Sequence, residues 1–220
     1  MLFRICLPLE SAPRVSGEEF EYLVKVLRLQ AGDFFESVQE RRVGVYQIEH
    51  IEKKSLSAKL QKEYTENNEP AQKLQLVLPL LKNDKMAYVL QKATEIGVYK
   101  FWLYEAENSP VRFAGSKLER WQKIIVSAVC QSRRNHLPEI EKIELPELAG
   151  KFPNIYYAHP AAEQKWPDFA DDATLVIGPE SGFAPRELNY LAVNALAFSL
   201  GGRILRAETA AVAITARILF

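Results

Sequence analysis

Two glycine-rich segments near the C-terminus contain the residues best suited to bind a ligand. The first is residues 178–183 (GPESGF), and the second is residues 200–206 (LGGRILR). Each follows an apolar run typical of a strand, and ligands bind at the carboxyl edge of an open parallel sheet. Glycine there allows a ligand to approach the main chain closely. A tight turn without a ligand would explain either segment alone, but the pair at one sheet edge favours a binding site.

Other common sites are not indicated by the sequence. The glycine-rich segments lack both the GxGxxG spacing of a dinucleotide site and the Lys-Ser/Thr pair of a phosphate-binding P-loop. His50, His136 and His159 are far apart and no His/Cys pair has zinc spacing, so we expect no metal site. Cys6 and Cys130 are also far apart, so each is predicted to be a small buried side chain in a reducing compartment. No apolar run has the length of a membrane-spanning helix.

The central third of the chain is basic, although the whole chain carries 28 basic and 28 acidic side chains. Residues 71–137 hold 11 basic and 5 acidic side chains, whereas residues 1–70 hold 10 and 12 and residues 138–220 hold 7 and 11. Within this third, residues 131–136 (QSRRNH) follow an amphipathic helix. The pattern favours a localised surface for a polyanion. A solvated lysine-rich face, or arginines that complement a helix dipole, are the alternatives.

The polar, turn-prone segment 66–70 (ENNEP) separates two different patterns. Before it we predict four strands and one helix, which opens at Ser16 with Glu19 in a capping box. The predicted strands are residues 2–7, 34–38, 43–51 and 55–60. Residues 1–70 are therefore predicted to form a small β-rich barrel.

After residue 70, strands and helices alternate, which predicts an α/β domain with a mainly parallel sheet. A helix capped by Asp84 and ended by Gly97 follows the first strand, and Ser116 with Glu119 forms a capping box for the next helix. A further helix follows Pro185, and a last helix ends the sequence. The predicted strands are residues 74–81, 101–104, 155–158, 174–177 and 197–200. Periodicity alone favours an ordinary doubly wound sheet, since threaded chains are essentially absent.

Several of these segments together resemble the RsmE family, ribosomal RNA uridine-N3 methyltransferases of the SPOUT superfamily. Residues 177–183 (IGPESGF) and 200–210 (LGGRILRAETA) look like the two signature loops of that family. The resemblance also includes residues 22–28, 32–33, 93–97, 120–134 and 137–140, and so covers nearly the whole chain. The sequence departs from the family pattern at Ser181, Cys130 and Gly202. The family usually has glycine at position 181, so a serine there would strain the loop if the position requires a positive φ.

The resemblance implies both a fold and a reaction. The implied fold is a PUA-like β-barrel over residues 1–70, followed by a SPOUT domain over residues 71–220 with a C-terminal trefoil knot. The implied protein is a cytoplasmic homodimer that uses S-adenosylmethionine to methylate N3 of one uridine in 16S ribosomal RNA, within the assembled small subunit. The residues implied to hold the cofactor are Ile177, Gly178, Pro179, Glu180, Gly182, Leu200, Gly201, Ile204, Leu205 and Arg206.

Methylation at N3 requires that the uracil N3–H loses its proton, so a base, or a cation that stabilises the resulting anion, would help. We interpret Arg134 and Arg206 as candidate cations and Glu180 as a candidate base. The residues expected to bind RNA are Arg28, Arg112, Gln131, Arg133 and Arg134. Three alternatives stay open: a SPOUT methyltransferase acting on another RNA atom, a non-catalytic ribosome-assembly RNA-binding protein, and an α/β enzyme that uses another nucleotide on small metabolites.

Overall fold

The computed structural model describes residues 2–113 and 115–220, except for the side chains of Asn83 and Ser116. The chain divides into two compact units. The first comprises Met1–Glu69 and Val129–Leu137, and the second comprises Pro70–Ala128 and Pro138–Phe220. The sequence patterns did not predict that residues 129–137 belong with the first unit, and the domain bounds 1–70 and 71–220 stay a prediction.

The first unit is built on a curled, five-stranded sheet with the form of a half-barrel. Its strand order is β1-β3-β4-β5-β2, with β1 parallel to β3 and the other pairs antiparallel. Phe35 and Tyr46 stack in its core with their ring centroids 5.5 Å apart. The strands are β1 (Phe3–Ile5), β2 (Arg14–Ser16), β3 (Phe34–Gln39), β4 (Arg42–Ile51) and β5 (Ser55–Thr65).

The helix of the first unit begins where the sequence predicted it, but without the predicted capping box. Helix α1 (Gly17–Phe20) continues directly into a π-helical turn (Glu21–Val26). Ser16 is the N-cap residue, yet its side chain makes no capping hydrogen bond. The capping-box prediction was wrong because Ser16 is still paired with Ser55 in the sheet, and Gly17, with φ of +68°, turns the chain into the helix.

The second unit contains a six-stranded sheet in which every pair is parallel. Its strand order is β11-β9-β10-β6-β7-β8. From β6 the chain adds β7 and β8 on one side, and it then places β9, β10 and β11 on the other side, so the connections change side between β10 and β6. Such a switch point is where open α/β sheets bind ligands. Edge strand β8 was not predicted, because its exposed Glu-Ile-Glu-Lys sequence lacks an apolar run. The strands are β6 (Gln75–Pro79), β7 (Lys100–Tyr104), β8 (Glu139–Lys142), β9 (Ile155–Ala158), β10 (Thr174–Val176) and β11 (Leu196–Phe198).

The remaining helices follow the predicted alternation, except that the short helix Leu148–Lys151 was not predicted. They are α2 (Asn83–Ile96), α3 (Leu118–Ser132), α4 (Leu148–Lys151), α5 (Pro185–Asn194) and α6 (Ala207–Leu219), with 3-10 turns at Gly115–Lys117 and Leu145–Glu147. The N-cap of α2 is Lys82, so Asp84 lies inside the first turn, where its charge complements the helix dipole, rather than at the cap. Gly97, with φ of +124°, ends α2 as predicted. The predicted capping role of Ser116 lies outside the described side chains.

The predicted fold class is confirmed: a β-rich N-terminal region precedes an α/β region with a parallel sheet. Helix α2 packs against α6 beside that sheet. In the part of the chain that the structure describes, no helix has both the length and the apolar character needed to span a bilayer.

Candidate active site

A cavity of about 530 Å³ opens at the carboxyl ends of β9, β10 and β11 in the second unit. The two glycine-rich segments form two of its walls, as their position after strands at one edge of the sheet predicted. All ten residues expected to hold the cofactor line this cavity: Ile177, Gly178, Pro179, Glu180, Gly182, Leu200, Gly201, Ile204, Leu205 and Arg206. The structure therefore brings the two segments together around one space, and the binding role of these residues stays a prediction.

The beginning of the first loop is fixed by two hydrogen bonds at Ile177. Its N–H donates to the carbonyl of Val77 at 3.0 Å, and its carbonyl accepts from the hydroxyl of Tyr104 at 2.9 Å. Tyr104 is 1% exposed, and burial raises the pKa of its phenol well above the ordinary range. The hydroxyl therefore stays protonated and remains a hydrogen-bond donor to the loop.

A tight turn at residues 179–182 forms the tip of the first loop. The N–H of Gly182 donates to the carbonyl of Pro179 at 2.9 Å, and Gly182 itself has a φ of +76°. Ser181 is not in the left-handed region, so serine is accommodated there without backbone strain. The strain that would follow from a positive φ at position 181 is therefore absent.

The first loop ends at the N-terminus of α5, where a buried carboxylate holds it. Glu187 accepts hydrogen bonds from the N–H of Ala184 at 2.7 Å and from the N–H of Glu107 at 3.0 Å. Phe183 packs its ring over Gly178, and a Cβ at position 178 would lie 3.0 Å from that ring. The glycine therefore lets an aromatic side chain close against the start of the same loop.

The second loop leads into the first turn of α6. Arg206 is the N-cap residue of that helix, with φ of −66° and ψ of 152°, and its carbonyl accepts from the N–H of Ala210 at 2.8 Å. Ala207 and Ala210 line the cavity, so the first turn of α6 forms part of its wall. The unpaired N–H groups of a helix N-terminus favour negative charge nearby.

The charged groups around the cavity differ in how they are paired. Arg203 and Arg206 are exposed, and neither has an ion pair within the described residues. Glu180, in contrast, forms an ion pair with Lys85 of α2. Lys85 also contacts Glu208 in the first turn of α6, with 3.2 Å between Nζ and Oε1. The cavity therefore offers two guanidinium groups to an anion, while its carboxylate is already engaged.

A third loop lines the cavity and was missed by the sequence analysis. It consists of Ala158, the last residue of β9, and of His159 and Pro160, which follow it directly. The N–H of His159 donates to the carbonyl of Phe198 at 2.8 Å, and its Nδ1 accepts from the N–H of Ala161 at 3.3 Å. The position of these residues after a predicted strand was a usable signal, but they contain no glycine to mark a loop that approaches a ligand. Phe183, Arg203, Ala207 and Ala210 also line the cavity; they lie in the two signature loops but were not among the ten residues expected to hold the cofactor.

Arg134, a predicted catalytic cation, lies in the first unit and is 2% exposed. Its Nε lies 3.0 Å from Oε2 of Glu69. The other carboxylate oxygen of Glu69, Oε1, accepts from the N–H groups of Asn135 at 2.7 Å and His136 at 3.0 Å. Burial acts to raise the pKa of Glu69, but Arg134 and the two N–H groups outweigh it, so the pKa is lowered. The sequence did not predict the ion pair of Arg134 with Glu69, because the two residues are far apart along the chain.

Arg133 is also paired inside the first unit. Its guanidinium lies 3.1 Å from Glu36 and 3.4 Å from Glu66, and both carboxylates also bind the buried Arg4, at 3.0 and 3.2 Å. The other residues predicted to bind RNA, namely Arg28, Arg112 and Gln131, are exposed. The RNA-binding role of all these residues stays a prediction.

Comparison with known proteins first defines the class of protein. A family model described as an RNA methyltransferase domain matches residues 67–219, and an RNA methyltransferase PUA domain matches residues 15–61. The chain is therefore a member of the RNA methyltransferases that carry an N-terminal PUA domain. Across the described residues, no group of three or more His, Cys, Asp or Glu side chains is arranged to hold a metal ion.

Individual relatives narrow the assignment. The ribosomal RNA small subunit methyltransferase E of Rickettsia conorii is 32% identical over 92% of this chain and 87% of its own length. The protein of the same name from Bacillus subtilis is 29% identical over 92% and 88%. A crystal structure of a ribosomal RNA small subunit methyltransferase E from Neisseria gonorrhoeae, bound to S-adenosylmethionine, superposes with a TM-score of 0.89 at 27% identity, over 99% of this chain and 97% of that one. The chain belongs to the ribosomal RNA small subunit methyltransferase E family.

Proposed function

We propose that this protein transfers the methyl group of S-adenosylmethionine to N3 of one uridine in 16S ribosomal RNA. The observation that carries the proposal is the single cavity formed by the two signature loops, with two exposed arginines on its lining. The shared family with ribosomal RNA small subunit methyltransferases E supports the substrate class, and the S-adenosylmethionine in the related crystal structure supports the cofactor.

The residues of the cavity fit the proposed cofactor. The cavity volume of about 530 Å³ suits a nucleoside-sized ligand. Ligand pockets are generally mostly apolar, with a few polar groups that fix the orientation of the ligand. Ile177, Leu200 and Leu205 provide apolar contacts, and the backbone of both loops provides donors and acceptors for the adenine and ribose. S-adenosylmethionine supplies an electrophilic methyl group on a sulfonium.

The side chains then have to manage the proton and the charge on the uracil. We assign Arg206 the role of stabilising the negative charge on the uracil oxygens once N3 has lost its proton. That charge would be lost again when N3 takes the methyl group and the sulfur–methyl bond breaks, leaving S-adenosylhomocysteine. Glu180 is the candidate acceptor of that proton, through its Oε2 atom, since Lys85 contacts Oε1. Arg134, held by Glu69, acts in this proposal by positioning the 129–137 segment.

The RNA itself has to present an unpaired base. N3 lies on the pairing edge of uracil, so the uridine must be single-stranded or turned out of a helix to enter the cavity. Arg28, Arg112 and Gln131 are proposed to bind the RNA backbone, so we expect RNA affinity to fall steeply as salt rises. We further propose that the protein acts in the cytoplasm as a homodimer, on the assembled small subunit.

The test is transfer of labelled methyl from S-adenosylmethionine to ribosomal RNA from cells that lack this protein. Naked 16S RNA and assembled small subunits serve as separate substrates, and RNA from cells that contain the protein serves as the control. Digestion and mass spectrometry should reveal new 3-methyluridine. A different methylated nucleoside would move the target to another atom. Failure to label either substrate, together with no cofactor binding by calorimetry, would instead favour a non-catalytic RNA-binding protein.

A further inference from the structure

Lys85 connects the two elements that border the cavity on either side. It is the third residue of α2, and its ammonium group contacts Glu180 at the tip of the first loop. The same ammonium lies 3.2 Å from Glu208, in the first turn of α6 directly after the second loop. One cation on a packed helix therefore bridges two walls of the cavity.

We propose that Lys85 is a positioning residue that clamps the first loop to the start of α6 and so sets the width of the cofactor cavity. The inference that this width matters for cofactor affinity rests on the proposed function. The clamp itself concerns only contacts within this chain. Lys85 does not line the cavity, and so it acts through Glu180 and Glu208.

The cluster of Lys85, Glu180 and Glu208 depends on the ammonium group, because that group is the one cation between two carboxylates. Without Lys85, the like charges of Glu180 and Glu208 would repel each other. Glu208 is 13% exposed at its side chain, and its second carboxylate oxygen is buried with no hydrogen-bond partner in the described residues. A carboxylate in that position has little water to replace a lost partner, so removing the ammonium penalises it directly.

The first loop needs such a contact because its other supports lie mostly at its ends. Tyr104 holds the carbonyl of Ile177 where the loop begins, and Glu187 holds the N–H of Ala184 where it ends. Between them, Ser181 makes a long hydrogen bond of 3.5 Å to the carbonyl of Asn108. The ion pair of Glu180 with Lys85, whose side chains are 41% and 28% exposed, therefore adds a restraint at the tip of the loop.

The substitution Lys85→Met removes the charge and keeps most of the side-chain volume, while Lys85→Arg keeps the charge. Lys92→Met is the matched control, because Lys92 lies on the same helix and pairs with Glu95 away from the cavity lining. Amide hydrogen exchange of the ligand-free proteins measures the clamp. Lys85→Met should speed exchange in residues 178–183 and 207–210, Lys85→Arg should restore most of the protection, and Lys92→Met should match the wild type.

Calorimetry and steady-state kinetics then measure the consequence for the cofactor. We expect Lys85→Met to weaken S-adenosylmethionine binding about tenfold, equivalent to about 1.4 kcal/mol, and to raise the KM for the cofactor more than it lowers kcat. Adding Glu180→Gln to Lys85→Met should recover part of the loss, because it removes one of the repelling charges. If Lys85→Met is too unstable to purify, Glu180→Gln alone breaks one contact of the clamp and should speed exchange at the loop tip.

Unchanged exchange in both Lys85→Met and Glu180→Gln would overturn the clamp, whatever the cofactor does. Faster exchange without a change in cofactor affinity would overturn the link between cavity width and binding. A wild-type protein that does not bind S-adenosylmethionine would overturn the proposed function, while the exchange measurement would still decide the clamp.

Discussion

Three buried or half-buried arginines of the first unit and the two arginines of the cavity in the second unit have opposite surroundings. Arg4, Arg133 and Arg134 are each paired with one or two glutamates, and Arg4 and Arg134 are 4% and 2% exposed. Arg203 and Arg206 are exposed on the cavity lining, and the described residues offer them no carboxylate. An arginine with buried carboxylate partners thus serves stability, whereas an exposed arginine without such partners is available to a ligand. The partners of the side chain decide its role more than its position in a basic stretch does.

This comparison shows why a local excess of positive charge does not identify a binding surface. The adjacent arginines at positions 133 and 134 suggested a polyanion site, but the fold supplies Glu36, Glu66 and Glu69 as their partners. A guanidinium that is already paired has less charge to offer to a phosphate. The arginines beside the glycines of the second loop have no such partners within the described chain, and they remain the stronger candidates for chemistry.

The largest expected effect is on stability in the first unit. Arg4→Met should destabilise the protein by about 3 kcal/mol, because it removes the buried cation between Glu36 and Glu66 and leaves them only the partly exposed Arg133. The control is Arg14→Ala, whose pair with Glu52 is 69% and 61% exposed and should contribute at most about 1 kcal/mol. Urea unfolding measures both variants. Equal losses for the two would mean that burial does not distinguish structural arginines from surface ones.

The next largest effect should be on methyl transfer. Arg206→Ala should reduce kcat about 100-fold, in line with the loss of one group that stabilises a developing anion. Its melting temperature should stay close to that of the wild type, because the described residues give Arg206 no ion pair to lose. The exposed Arg186 of α5 provides a matched Arg186→Ala control with normal activity. A fully active Arg206→Ala protein would remove Arg206 from the mechanism.

A smaller effect should appear in the acid range. The pKa of Glu69 is lowered from its ordinary value of 4.5, because Arg134 and two backbone N–H groups outweigh the effect of burial. The carboxylate therefore stabilises the folded protein above about pH 4.5, and this contribution is lost as pH falls through the lowered pKa. Glu69→Gln should be less stable than wild type at pH 7, and the difference should shrink on acidification to pH 3. A difference that is constant with pH would contradict the ionic role.

The smallest expected effect on activity concerns the two cysteines. The sequence predicted two separate buried thiols, but the Sγ atoms of Cys6 and Cys130 lie 3.2 Å apart in the first unit. The hydrogen bond between the two thiols lowers the pKa of Cys6, whereas the same bond and burial raise the pKa of Cys130. Oxidised glutathione should therefore convert the pair to a disulfide through attack by the Cys6 thiolate, with the sulfurs moving only about 1 Å closer.

Mass spectrometry should detect that disulfide as the loss of two hydrogens, and Cys6→Ser should prevent it. Methyl transfer should change less than twofold on oxidation, since neither cysteine is in the unit that holds the cavity. A large loss of activity on oxidation would show that the first unit takes part in the reaction more directly than its paired arginines suggest.

The sequence predicted the walls of the cavity better than it predicted the partners of individual side chains. The ten expected cofactor residues line one cavity because they follow strand ends that a parallel sheet brings to one edge. The third loop, with His159, was missed because its residues carry no pattern of their own. Lys85 and Glu69 could not be connected to Glu180 and Arg134 from the sequence, because those contacts depend on the packing of distant segments. The implied trefoil knot came only from the family resemblance. Hydrophobic periodicity predicts individual helices and strands, but it does not predict how the chain passes through itself.

The return of residues 129–137 to the first unit has a consequence for the order of protein synthesis. When Glu69 leaves the ribosome, residues 70–128 must still be made before Arg133 and Arg134 become available. Until then, Glu36 and Glu66 of the nascent N-terminal segment have only Arg4 of their final partners, and Glu69 lacks Arg134. The N-terminal unit therefore cannot complete its core of ion pairs until most of the chain has been translated, and its folding is delayed beyond the synthesis of its own first segment.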